Sequence, residues 1–189
     1  CTRFTAGTST VVLAATGNLS SPANYCNRFN NLTQADGITT TLTGDVMVYG
    51  TLTCGTGSAI TTDASAREMR IAATPVVNTV TWGGGVGKLT LDFWQDITIP
   101  GDDYGDCDLR FTNWGTGKTF AGDVITTGNV STGVDGGPGR QCNIDLNGNN
   151  LTCADLTLGE SGATDRGGRM YLTNSTSTLT VSGNLTINA

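Results

Sequence analysis

Along much of this chain, hydrophobic residues occur as pairs separated by one polar residue, most often threonine. The pattern is clearest towards the C-terminal end, in Ile144-Asp-Leu146, Leu151-Thr-Cys153 and Leu156-Thr-Leu158. Met170-Tyr-Leu172, Leu179-Thr-Val181 and Leu185-Thr-Ile187 then repeat the plan, and Leu146 and Leu172 lie 26 residues apart. In an extended triplet the two outer side chains share one face and the middle one points the other way. Earlier copies are Leu42 to Cys54 (with Val46-Met-Val48 and Leu52-Thr-Cys54), Leu89-Thr-Leu91 with Ile97-Thr-Ile99, and residues 111–130. Irregular coils of about 20–33 residues, each holding several two-point strands, predict an all-β parallel β-solenoid (β-helix). One coil cannot bury its own inward side chains, but a stack can. A β-sandwich or jelly roll is the alternative, although triplets are short for its strands.

The first residues read differently, which divides the chain into an N-terminal segment, 1–38, and a β-repeat domain, 39–189. Val11 to Ala15 is the most apolar strand candidate. Ser21 to Phe29 reads as a short helix, with Ser21 as N-cap, Pro22 in the first turn, and Tyr25 and Phe29 one turn apart. Strand and helix together would cap a solenoid or join one subunit to the next. Asp63 to Ala72 is a second helix candidate, or a loop leading into a strand.

The phrases LTGDVMVYGTLTCGTG, IDLNGNNLTCADLTLGESG and STLTVSGNLTI resemble the repeats of right-handed parallel β-helix proteins of bacterial surfaces and phage tail fibres. The resemblance covers roughly residues 40–189 and implies an elongated, extracellular, structural or adhesive protein. No catalytic motif of the enzymatic members is matched.

Composition agrees with strands and turns: 34 Thr, 15 Asn and 27 Gly, with 14% charged residues. Thr suits the pleat, while Gly and Asn suit tight turns. The net charge of −6, with ten scattered Lys and Arg, supplies no basic stripe for nucleic acid. No apolar run is long enough to span a membrane. A chain opening on Cys1 reads as a processed mature form. Cys1, Cys26, Cys54, Cys107, Cys142 and Cys153 include no C-x-x-C pair and have no His to join them at zinc. They are expected to form disulfides of undetermined pairing in an oxidising, extracellular setting; buried free thiols are the alternative.

The chemistry available is narrow. Without His there is no Ser-His-Asp or Cys-His system. Gly115 to Thr119 and Trp82 to Lys88 depart from the phosphate-loop pattern and read as turns before strands. Asp102, Asp103, Asp106 and Asp108 are candidate calcium ligands, a solvated acidic turn being the plainer reading. No other cofactor is implied. Sequons occur at Asn18, Asn31, Asn129, Asn150, Asn174 and Asn184, little more often than chance gives in so Asn- and Thr-rich a chain. Tyr49, Trp82, Trp94, Tyr104, Trp114 and Tyr171 are candidates for a sugar platform, with packing the favoured role.

The expected function is a non-enzymatic structural subunit of an extracellular filament or surface appendage. The last coil runs out with its strand pattern intact, and an open coil end exposes strand edges and apolar side chains. Assembly is expected head to tail with further copies of the chain, Val11, Val12 and Leu13 of one copy meeting Leu179, Val181, Leu185 and Ile187 of the next. A glycan-binding adhesin or tail-fibre domain is the alternative. A polysaccharide-degrading enzyme ranks last, with Asp92, Asp96, Asp106, Asp108 and Arg110 as its local supply of acids and base.

Overall fold

The structure is a computed structural model that describes residues 4–5, 7–20, 27–112, 117–133, 142–159, 168–174 and 176–188. These form a parallel β-solenoid. The chain returns nine times to one long sheet, sheet I, through Phe4–Thr5, Asn27–Phe29, Val46–Val48, Arg67–Ile71, Leu89–Phe93, Asp108–Thr112, Val130–Gly133, Leu156–Leu158 and Leu185–Ile187. Two four-stranded sheets complete the first half. Sheet II holds Thr10–Leu13, Asn31–Gln34, Leu52–Cys54 and Val76–Val77; sheet III holds Gly17–Leu19, Thr39–Leu42, Ala59–Thr62 and Thr81–Trp82. Two others take their place in the second half. Sheet IV holds Thr98–Ile99, Lys118–Phe120, Cys142–Asp145 and Gly168–Tyr171; sheet V holds Asp102–Asp103, Val124–Ile125, Leu151–Cys153 and Leu179–Val181.

The triplet pattern becomes the core because the register keeps like above like. Val46, Met69, Leu91, Leu109, Val130, Leu156 and Leu185 form one in-register file on the inner face of sheet I. Phe29, Val48, Ile71, Phe93, Phe111 and Thr132 form the next. A slip of one residue would turn both files outward, so burial fixes the register. Phe93 stacks on Phe111 with ring centroids 5.6 Å apart, and Tyr104 and Phe120 extend the aromatic centre.

Turn carboxylates and amides tie each coil to its neighbour. Asp36 accepts from Thr56 N at 2.7 Å, Asp45 from Glu68 N at 2.9 Å and Asp96 from Gly117 N at 2.9 Å. Further along, Asp123 accepts from Asn150 N at 2.9 Å, Asn150 from Thr178 N at 2.9 Å and Asp155 from Asn184 N at 2.7 Å. Gly55 permits the close approach at one such staple, since a Cβ there would lie 2.5 Å from the Asp36 amide nitrogen.

Two expectations change. Asn27–Phe29 is a strand of sheet I where a helix over Ser21–Phe29 was expected; residues 21–26 lie outside the described residues. Of the two readings of Asp63 to Ala72 the structure takes the second, a strand over Arg67–Ile71, because Met69 and Ile71 fall in the two inward files. Among the described residues no disulfide is found where disulfides of undetermined pairing were expected. Cys54, Cys107, Cys142 and Cys153 are free and buried, and Cys1 and Cys26 lie outside the described residues. The four occupy inner positions as small apolar side chains. Thr10–Leu13 and Gly17–Leu19, from the N-terminal segment, pair in register with the coil that follows.

Leu91 is fully buried, so Leu91→Ala should cost about 3 kcal/mol in denaturant unfolding. Val86, 87% exposed, should change stability by less than about 0.5 kcal/mol as Val86→Ala. The four thiols should resist iodoacetamide in the native protein and all react in guanidinium without reductant. A requirement for reductant would show that they are paired.

Candidate functional site

The outer face of sheet I carries the densest charged and aromatic cluster among the described residues. Strand alternation puts Glu68, Arg70, Asp92, Asp108 and Arg110 on this face, opposite the buried files. Arg70 contacts Asp92 at 2.8 Å and Glu68 at 3.4 Å, and Arg110 lies 3.7 Å from Glu68. Alongside, Arg70 sits over the Trp94 ring and Arg28 over the Tyr49 ring, each 5.7 Å from the centroid. Trp94 and Tyr49 meet edge to face at 5.9 Å. Each guanidinium thus has an anion or an aromatic face beside it.

Asp92 is fully buried although it belongs to the outer face. Burial pushes its carboxyl up to about 6, against the lowering effects of a short hydrogen bond donated by Thr112 and of the Arg70 charge. On the inner side of the same corner Lys118 is also fully buried, donating to the Gln95 and Thr112 carbonyls, the latter at 2.9 Å. Burial lowers its pKa. Thr112 therefore touches both groups, through its hydroxyl to Asp92 and through its carbonyl to Lys118. The sequence marked Asp92 only as one of several acids and read Lys118 only as part of a turn before a strand, because burial leaves no mark in the local pattern.

Further along this face, a groove of about 450 Å³ is lined by Glu68, Asp108, Arg110, Asn129, Asp155 and their Ser and Thr neighbours. Glu68, Thr90 and Asp108 share one file, so Glu68 and Asp108 are two strands apart, about 9.6 Å. These acids have other partners too: Asp108 accepts from Asn129 N at 2.8 Å and lies 3.4 Å from Lys88.

The calcium candidates are spread out. Asp102 accepts from Trp82 Nε1 at 2.8 Å and Asp103 from Gly105 N at 2.9 Å, both from sheet V, while Asp106 accepts from Gly84 N at 3.1 Å. Asp108 belongs to sheet I. Among the described residues no three His, Cys, Asp or Glu are grouped to hold a metal ion. Of the sequons, Asn18, Asn129, Asn174 and Asn184 are exposed. Asn31 and Asn150 are half-buried and use both side-chain atoms in hydrogen bonds between coils. Trp82 and Tyr104 pack inside, Tyr171 is exposed, and Trp114 lies outside the described residues.

The enzyme candidates separate as well, Asp92, Asp108 and Arg110 lying on sheet I while Asp96 and Asp106 occupy turns. Among the described residues no helix is long and apolar enough to cross a membrane.

The raised pKa of Asp92 has a definite sign. The folded state holds that proton more tightly than the unfolded chain, whose carboxyl titrates near 3.8. The stabilisation is complete below that value and is lost as pH rises through about 6. Asp92→Asn should therefore flatten the fall in melting temperature between about pH 4 and pH 7. Parallel curves for the two proteins would show that Asp92 does not titrate in this window.

No protein-family model matches the chain, and no curated protein or solved structure matches it either.

Proposed function

We propose that this chain is a structural rod segment of an extracellular filament or surface appendage, of the kind borne on bacterial surfaces or phage tails, and that it assembles head to tail. The observation that carries this reading is the stacked parallel solenoid itself, whose first and last described coils each present strands paired on one side only. At one end Thr10–Leu13 and Gly17–Leu19 each pair on a single edge, and Val11, Leu13 and Leu19 are only partly buried against the core. At the other end Leu179–Val181 and Leu185–Ile187 are also edge strands. There Leu185 is 53% exposed and Ile187 67% exposed.

An open parallel edge presents unpaired amides and carbonyls that another parallel strand satisfies. The two faces are complementary in kind: each offers strand edges and aliphatic side chains, and stacking would extend the ladder already built inside the chain. Such a contact is heterologous and propagates. Val12, 59% exposed, points outward from its strand and contributes less to the stacked face than Val11 and Leu13. The low charge content and the abundance of Thr and Asn support a surface setting, whereas the buried free thiols lend it nothing.

A glycan-binding adhesin is the second reading, supported by the open groove beside Glu68, Asp108 and Arg110. In neither reading is the chain an enzyme. A calcium ion at Asp102, Asp103, Asp106 or Asp108 would share those carboxylates with the hydrogen bonds they already accept.

The double substitution Leu185→Glu with Ile187→Glu changes two exposed side chains and should leave the fold intact while abolishing filaments in negative-stain microscopy. Deletion of residues 1–20 should have the same effect on assembly. Filaments that persist in both variants would overturn head-to-tail stacking; a monodisperse wild-type monomer that binds glycans on an array would favour the adhesin.

A further inference from the structure

The solenoid is not joined uniformly along its length. Six boundaries between successive described coils are closed by strand pairing on three sheets at once. These are the first three, made by sheets I, II and III, and the later three made by sheets I, IV and V. Between the fourth coil (Arg67–Ile71, Val76–Val77, Thr81–Trp82) and the fifth (Leu89–Phe93, Thr98–Ile99, Asp102–Asp103) only sheet I pairs. Sheets II and III stop on one side of this boundary, and sheets IV and V start on the other.

Local sequence explains the interruption. Pro75 has no amide to give to a ladder. Immediately after Trp82, Gly83 and Gly84 take φ of 73° and 72°, which ends the strand. Side chains then make the connections that backbone makes elsewhere. Thr98 N donates to Thr74 Oγ1 at 3.1 Å, Trp82 Nε1 to Asp102 Oδ2 at 2.8 Å, and Gly84 N to Asp106 Oδ1 at 3.1 Å. The Trp82 and Tyr104 rings meet at 5.7 Å. On sheet I the Arg70–Asp92 ion pair and the Arg70–Trp94 contact span the same boundary.

We infer that this boundary is a built-in joint, dividing the solenoid into two cooperative units on either side of residues 83–88. In a stacked repeat, stability is a sum of coil terms and nearest-neighbour interface terms, so the interface with the fewest pairings sets where cooperativity breaks. The unit before the joint opens first. The clustered rings of Phe93, Tyr104, Phe111 and Phe120 all belong to the unit after it. The inference holds whether the rod forms filaments or not; in a filament, the joint is where a pulled subunit yields first.

Native-state hydrogen exchange on the intact chain in rising guanidinium tests this. Amides of Leu32, Leu52 and Ile60 should converge on one opening isotherm, and those of Phe111, Phe120 and Leu151 on a second, more protected one. Leu151→Ala should reduce protection in the second unit by about a hundredfold while leaving the first unit unchanged, because the first opens while the second stays folded. Leu151→Val is the milder variant if Leu151→Ala does not fold. A single isotherm for the whole wild-type chain would overturn the joint. So would a loss of protection of equal size in both units of either variant.

Discussion

Every coil of this molecule is stable only because another coil lies against it in register. The inward pairs of a triplet strand, such as Leu151 and Cys153, cannot form a core with the side chains of their own turn alone. Stacked under Leu179 and Val181 and over Val124, they are closed off from water. The same stacking satisfies the backbone, since parallel strands bond only to other coils. Burial and hydrogen bonding therefore demand the same register, and that agreement lets short strands hold.

The corners add a constraint that composition conceals. Asn, Asp and Gly are abundant because the chain turns often, yet several of these residues do more than turn. Asp36, Asp45, Asp123, Asn150 and Asp155 each accept an amide of the next coil. A polar side chain at a corner is thus part of the stack. This is also why two of the sequon asparagines, Asn31 and Asn150, are engaged between coils.

Charge is distributed by the same geometry. Alternation along sheet I sends every second residue outward, and register brings Arg70, Asp92 and Arg110 onto adjacent strands although about 20 residues separate each from the next. The cluster coincides with the boundary where the other walls lose their backbone pairing. Side-chain contacts therefore span a boundary at which backbone pairing is confined to sheet I.

The sequence by itself determined the all-β class, the period of the repeat and most of the strand triplets, because a two-residue alternation punctuated by Asn and Gly is a local signal. Ile144, Leu151, Leu156, Leu179 and Leu185 were legible on that basis. The strand at Arg67–Ile71 was legible only as one of two readings, since its charged residues suit a helix as well until Val46 and Leu91 are placed beside Met69. Cysteine count suggested disulfides, but pairing depends on which inner positions meet, and the stack leaves Cys54, Cys107, Cys142 and Cys153 as separate buried thiols. Asp92, Lys118 and the loss of pairing on two walls belong to tertiary structure, although Pro75, Gly83 and Gly84 mark the place of the break in the sequence. Burial, proximity across coils and the loss of pairing on two walls are relations between distant residues, which no local pattern encodes.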